Sequence, residues 1–518
     1  MGLLRDILSH GYFPKELPPS FETHSFAMAL TRNTALPSIF SDTRKTAKSC
    51  NYNLAIAGGL VRKLTLVNPI PFFQLARCIA QRWKNIIKTI DRSKLSKSIP
   101  TQKEGDTRAL SASSEQSELA QWRAKLRASS LFLLKADIAQ FYPSVYTHSI
   151  PWAIHTKSAA KKNRTDQLYG NKLDRLVRNG QDGQTMGIPI GPDTSLILAE
   201  LLLSAVDENL QSDKKFSEAF RYYDDYEFTF ESASKRDELL GSLQKYIGEY
   251  ELRLNPKKTS AMELPSELEE DWVHTIRNFE IRSRPTSQRY SMLDFFDMLY
   301  SLVKAFPDRH VVKYALPRFY ADKLEVYREN WSLLESLILQ TLAAEPGGLS
   351  AAIRIFLEKK ESGYEINFEL LKAALTNRVK CNALVGNTSE VAWAVWGAIA
   401  LDISLDEQVS KIVTSIDDSV IAVLALDARE RGLLEIDNSD MALWTQYMSN
   451  DELYGPQWLL SYEARMMNWL PSIHPLESDE AFGYLKQQKV TFYDSALTDP
   501  LASLSKVVKS ATMAGYDF

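Results

Sequence analysis

Apolar and polar positions divide the chain into two stretches of different character. In the first, short apolar runs alternate with breaks. LFLLKADI (131–138) is a compact apolar run that ends in an acid and predicts a buried strand. SLILAELLLSAVDENL (195–210) repeats apolar residues at helical spacing. In FRYYDDYEFTF (220–230), Tyr226, Phe228 and Phe230 alternate with Glu227 and Thr229, the period of a half-buried strand. Asp224 and Asp225 lie between two aromatic-rich strands, where a tight hairpin turn belongs. Residues 235–252 predict a further helix, followed by LNPKKT.

The flanking segments are plainer. Residues 1–90 read as mostly helical, broken by Pro14, Pro18 and Pro19 and by a turn at Gly58 and Gly59. Ser93 to Glu118 is rich in Ser, Lys and Glu without periodicity, which predicts a mobile loop. From about residue 291 strand signals fade. WSLLESLILQTL (331–342) puts Leu334, Leu337, Ile338 and Leu342 on one helical face. SEVAWAVWGAIALD (389–402) and DSVIAVLALD (418–427) are faintly alike, a hint of stacked helical repeats. The expected architecture is α+β over residues 1–290, an antiparallel sheet with helices, followed by an all-α region of HEAT-like helical repeats over 291–518.

Composition narrows this little. With 518 residues and a net charge of -4, the chain can bury a large core but exerts no global attraction on nucleic acid. Phosphate binding would need a local basic groove. Cys50, Cys78 and Cys381 form no CxxC spacing, which fits a reducing cytoplasm and no zinc site. The start, MGLLRDILSHGYF, lacks a signal peptide's apolar core, and the longest apolar run, Val391 to Leu401, is too short to cross a bilayer. The expectation is a cytoplasmic protein with no membrane partner.

The candidate chemistry lies in three acids. Phosphoryl transfer from a triphosphate needs charge stabilisation, and two divalent ions about 3.5–4 Å apart can clamp the attacking and leaving oxygens. Their carboxylates must be rigid and adjacent, which strand ends and tight hairpins provide. Asp137 closes an apolar strand, and Asp224 and Asp225 occupy a hairpin tip. If the two elements are neighbours in one sheet, all three acids meet at one edge.

Four segments then resemble, in order, the motifs of reverse transcriptases. KADIAQFYPSVYTHSI (135–150) resembles motif A, GIPIGPDTSLILAELLL (187–203) motif B, RYYDDYEF (221–228) the Tyr-x-Asp-Asp motif C, and LRLNPKKT (252–259) motif D. GYFPKELPPSF (11–21), the form of motif B and the helical C-terminal half resemble the abortive-infection reverse transcriptases of bacterial phage defence.

The resemblance implies roles. Asp137, Asp224 and Asp225, with the carbonyl of Ile138, would hold two Mg2+ ions, for which Mn2+ could substitute. Tyr142 would exclude a ribose 2′-hydroxyl, while Phe141 suits the core. Gly191, Ser195, Arg62 and Lys63 would contact the incoming dNTP; Gly187 and Gly191 allow close backbone approach. Asp193, Thr194 or Ser195 can cap the helix that follows. Lys258 would approach the leaving pyrophosphate as a general acid, with Lys257 the adjacent alternative. The basic run Lys157, Lys161, Lys162 and Arg164 could track a DNA backbone or be a solvated loop.

In that group the implied activity is DNA synthesis from dNTPs without a template, primed from a hydroxyl of the protein itself. The single-stranded DNA product would remain covalently attached, and the protein would be a homo-oligomer. The alternative is a conventional RNA-templated reverse transcriptase. Ile190 stands where templated enzymes usually carry Gln, and Ile cannot hydrogen-bond. Among 22 tyrosines the priming residue is not singled out; Tyr52 and Tyr12 are candidates. Trp393, Trp396, Trp444, Trp458 and Trp469 suit helix packing better than base stacking.

Overall fold

The computed structural model describes residues 2–32, 35–321 and 324–504. Its first half is built around two antiparallel hairpins and a four-stranded sheet. β1 (Cys50–Ile56) and β2 (Leu60–Leu66) form one hairpin, turned by Gly58 and Gly59, both at positive φ (82° and 72°). This hairpin is a correction to the helical expectation for residues 1–90. Helices do occupy Gly2–His10 and His24–Arg32, and the long helix Pro69–Ile90 starts where Asn68 accepts a hydrogen bond from Ile70 N–H and Pro69 takes the first turn.

A second correction concerns residues 93–118. β3 (Pro100–Thr101) and β4 (Ser111–Ala112) pair there, and Ser93, Ser96, Ser98, Ala109 and Leu110 are buried. Part of its polarity serves buried acids, through Ser93, Ser96 and Ser98, while Lys94, Gln102, Glu104 and Ser113 face solvent.

β5 (Phe132–Asp137), β6 (Glu218–Tyr222), β7 (Asp225–Phe230) and β8 (Ser260–Glu263) form the main sheet, in the order β6-β7-β5-β8, all antiparallel. The apolar run of β5 is covered on both sides, Leu133 and Leu134 being 0% and 1% exposed. The buried helix Asp193–Asp213 packs against the helices Pro69–Ile90 and Ser149–His155.

Beyond β8, every regular element among the described residues is helical, from Asp271–Asn278 to Glu480–Gln487. The chain therefore has a reverse-transcriptase-like palm and fingers followed by an all-α region. Residue 290 lies inside the helix Pro285–Ala305, and the apolar core runs without a break from Ile7 to Leu504. The helix Thr388–Leu401 is buried along its whole length, which explains its unbroken apolar run, and packs on the helices Phe368–Ala383 and Ser419–Glu430 and on β1. Among the described residues no helix is long and apolar enough to cross a membrane.

The N-terminal segment joins the two halves. Tyr12 stacks on Phe72 at 3.9 Å between centroids, and Phe13 packs near Trp458 and Phe492. Trp393 Nε1 donates to the Glu16 carbonyl, Trp396 Nε1 to Ser20 Oγ and Trp458 Nε1 to the Leu66 carbonyl. With Trp444 also buried and Trp469 half-buried beside Tyr493, the tryptophans pack helices.

Candidate active site

β5 and β7 pair so that Asp137 stands directly opposite Asp225. Opposed residues of an antiparallel pair share a face, so strand register alone makes the two carboxylates neighbours. β6 and β7 close through the Tyr222–Asp225 pair, leaving Tyr223 and Asp224 as a two-residue turn. Tyr223 has a φ of 52°, the left-handed conformation that such a turn requires of its first residue. The three acids thus meet at one sheet edge.

Their electrostatics are those of like charges crowded together. Burial and then the Asp137 charge push Asp224 up to about 6. Asp225 rises to about 7, through burial, the Asp224 and Asp137 charges and a hydrogen bond with Asp137. Of the three acids, Asp225 is the most exposed and Asp137 the most buried. Lys258 and Arg62 pull Asp224 the other way.

Lys258 Nζ is 3.1 Å from Asp137 Oδ2. The turn that presents it is organised by Asn255. Its N–H donates to the Asp137 carbonyl (2.7 Å), its side chain accepts from Lys257 N–H, and its carbonyl accepts from Lys258 N–H and Thr259 Oγ1. Lys257 is exposed and makes no ion pair with the acids; of the two lysines, Lys258 is the one at the site. Ile138, 1% exposed, follows Asp137 and bridges Leu254.

This donor set fits divalent cations. Clustered carboxylates, among them Asp224 and Asp225 with raised proton affinity, are stabilised as anions by positive charge. Among the described residues no three acidic, histidine or cysteine side chains close a metal shell alone. A hard cation held by one or two carboxylates takes its other oxygens from backbone, water and substrate phosphates. Asp137, Asp224 and Asp225 would hold such ions, which supply charge stabilisation for phosphoryl transfer.

The other sequence candidates divide. Arg62 and Lys63 are successive residues of β2 and so face opposite ways; the Arg62 charge is felt by Asp224, while Lys63 is exposed on the other face. Tyr142 is half-buried, edge-on to the buried Phe141, and its carbonyl accepts from Ile188 N–H. Gly187 and Gly191 have φ of 84° and 125°; a Cβ on Gly191 would lie 2.5 Å from Pro14 Cγ. The close approach at Gly191 is to the N-terminal segment.

Helix capping by Asp193, Thr194 or Ser195 is corrected: Pro192 precedes the helix with no side-chain cap. Asp193 instead bonds the Arg108 guanidinium and Leu110 N–H, while Arg108 also donates to the Phe13 and Gly191 carbonyls. Ser195 is 2% exposed with its hydroxyl unpaired. Ile190 is partly buried against the core, its carbonyl accepting from Thr65 N–H. Two lysines of the basic run are engaged: Lys157 with Trp152 and Glu251, and Lys161 over Trp152. Tyr12 and Tyr52 are both fully buried, Tyr12 donating to the Val67 carbonyl and Tyr52 lacking a partner, so neither hydroxyl is presented to the acids.

Sequence reasoning gave no role to Asn255, Arg221, Ser98, Glu200 or Asp207. The available signal was two acids, seven residues apart, one interrupting and one ending the apolar run Leu196–Val206.

Residues 72–292 match the family model for reverse transcriptase (RNA-dependent DNA polymerase), a stretch that contains all three aspartates and Lys258. The match supports a polymerase of the reverse-transcriptase type, a nucleotidyltransferase that makes DNA. Among solved structures, the chain is similar to a telomerase from Candida Tropicalis in complex with a TWJ fragment of telomeric RNA. The identity is 13%, over 84% of this chain and 68% of that one, and the TM-score of 0.27 is too low to carry an argument. No curated protein matches the chain.

Proposed function

We propose that the protein is a DNA polymerase that joins dNTPs without a template, starting from one of its own side-chain hydroxyls, and that it acts in abortive-infection defence against phage. The observation that carries the polymerase reading is the convergence of Asp137, Asp224 and Asp225 at one sheet edge with Lys258 on Asp137. Mg2+ is the cation proposed there.

The untemplated reading is supported by Ile190. A Gln amide at this position could bond backbone and help to seat a nucleotide against a template, whereas the Ile side chain is turned to core packing. Removal of this polar contact weakens template-directed selection and leaves the metal chemistry intact. The defence role and a homo-oligomer rest on the resemblance of the N-terminal segment, motif B and the helical half to abortive-infection reverse transcriptases.

Purified protein incubated with labelled dNTPs and Mg2+, without template or primer, tests the proposal. Label that migrates with the protein and is freed by protease supports it. Synthesis only on an added RNA template and primer supports the conventional reverse transcriptase instead.

A further inference from the structure

Behind the Tyr223–Asp224 turn lies a fully buried charge cluster. Arg221, 0% exposed, bonds Glu200 through Nη1 (2.7 Å) and Nη2 (2.9 Å), and Asp207 through Nη2 (2.8 Å) and Nε (2.9 Å). Tyr226 OH and Ser93 Oγ complete Asp207, at 2.8 and 2.6 Å. Ser96 and Ser98 donate to Glu200, at 2.8 and 2.7 Å. Although burial opposes it, Arg221 and these serines hold Glu200 below the usual carboxylate range, so the cluster is charged.

Two members reach the catalytic turn. Arg221 Nη1 donates to the Tyr223 carbonyl (2.8 Å), and Tyr223 N–H donates to Ser98 Oγ (2.8 Å). Both backbone polar groups of Tyr223, the residue preceding Asp224, are therefore tied to the cluster. Tyr223 is also the residue in left-handed backbone, a conformation that persists in a non-glycine only when its surroundings over-determine it. Lys97 N–H and the Leu95 carbonyl bond the Arg221 backbone, so residues 95–98 run beside β6 as its outer support.

We propose that Ser98 and Arg221, held by Glu200 and Asp207, are positioning residues that fix the Tyr223 peptide and so the direction in which Asp224 offers its carboxylate to a divalent cation. This rests on reading the three aspartates as a polymerase metal site. The cluster touches neither nucleotide nor metal; it acts through the turn. A loose turn would let Asp224 swing, and cation affinity would fall before folding did.

The test uses the full chain and Mn2+ as probe, titrated by electron paramagnetic resonance without nucleotide, beside thermal melting and dNTP incorporation. Ser98→Ala removes the acceptor for Tyr223 N–H. Ser93→Ala removes a bond of the same length class from the same cluster, to Asp207, and touches neither Ser98 nor the turn, so it reports the purely structural loss. Arg221→Met would leave two buried carboxylates uncompensated and fail to fold, so the serine variants carry the test.

The expected result is Mn2+ affinity about tenfold weaker in Ser98→Ala, as for one buried amide left unpaired. Ser93→Ala melts at least as much lower and keeps the wild-type affinity. Unchanged affinity in Ser98→Ala, or equal loss in both variants, overturns the proposal. A wild type that binds Mn2+ but incorporates no dNTP overturns the polymerase reading alone; a wild type that binds no Mn2+ overturns both.

Discussion

Lys258 Nζ and Asp137 Oδ2 form an ion pair, 3.1 Å apart, across the mouth of the carboxylate cluster. The lysine occupies an oxygen that a metal ion would claim, and it is more than half exposed, so it is free to exchange partners. Binding of a cation at Asp137 would release the ammonium toward the triphosphate. Lys258→Met is therefore expected to do two opposite things. The half-saturating Mg2+ concentration falls because a competitor is gone, while kcat falls by about 100-fold because the proposed general acid is lost. Steady-state incorporation over a Mg2+ series measures both; a rise in the Mg2+ requirement would contradict the account.

Asp224→Asn is expected to abolish incorporation, by about a thousandfold or more, with little change in melting temperature. The wild-type carboxylates repel one another, and removal of one such charge does not weaken the fold. A large loss of melting temperature would indicate a structural rather than catalytic role.

Gly191→Ala tests the contact between the motif B loop and the N-terminal segment. At φ 125° and 2.5 Å from Pro14 Cγ, a methyl group is strained twice. The expected cost is about 1–3 kcal/mol, read by urea denaturation. Pro14→Ala in the same chain is expected to recover only the steric part.

Glu463 sets a stability prediction far from the acids. Burial pushes it up to about 8; Oε1 accepts from Phe492 N–H, and Oε2 is buried without a partner. The folded state binds this proton more tightly than the unfolded chain, whose glutamates titrate near about 4.3. Stability is therefore greatest below that value and declines as pH rises through about 8. Glu463→Gln, neutral throughout, is expected to flatten this part of the profile and to be the more stable protein at pH 9. Chemical denaturation from pH 5 to 9 measures it, and parallel profiles would contradict it.

The parts of the site legible in the sequence were those written in local pattern. The apolar run ending in Asp137 and the alternation after Asp225 each specify a strand, and the strands' pairing brings the acids together. What was illegible depends on long-range partners. Ser93, Ser96 and Ser98 read as solvent-loving, yet their acceptors, Asp207 and Glu200, lie more than 100 residues away on another element. Asp193 has the chemistry of a helix cap, but Arg108 takes its carboxylate. The β1–β2 hairpin was missed because the alternation of Cys50, Tyr52 and Leu54 with Asn51 and Asn53, and of Leu64 and Leu66 with Thr65, is short and is interrupted by the exposed tip, Gly58 to Val61.

The most direct measurement is the incubation of purified wild type and Asp224→Ala with labelled dNTPs and Mg2+, no template and no primer, resolved on a denaturing gel before and after protease. The account predicts label that migrates with the wild-type protein, is released as nucleic acid by protease and is absent from the variant. Wild-type protein that stays unlabelled, yet extends an added primer on an RNA template, would contradict untemplated, self-primed synthesis while leaving the three-aspartate site in place.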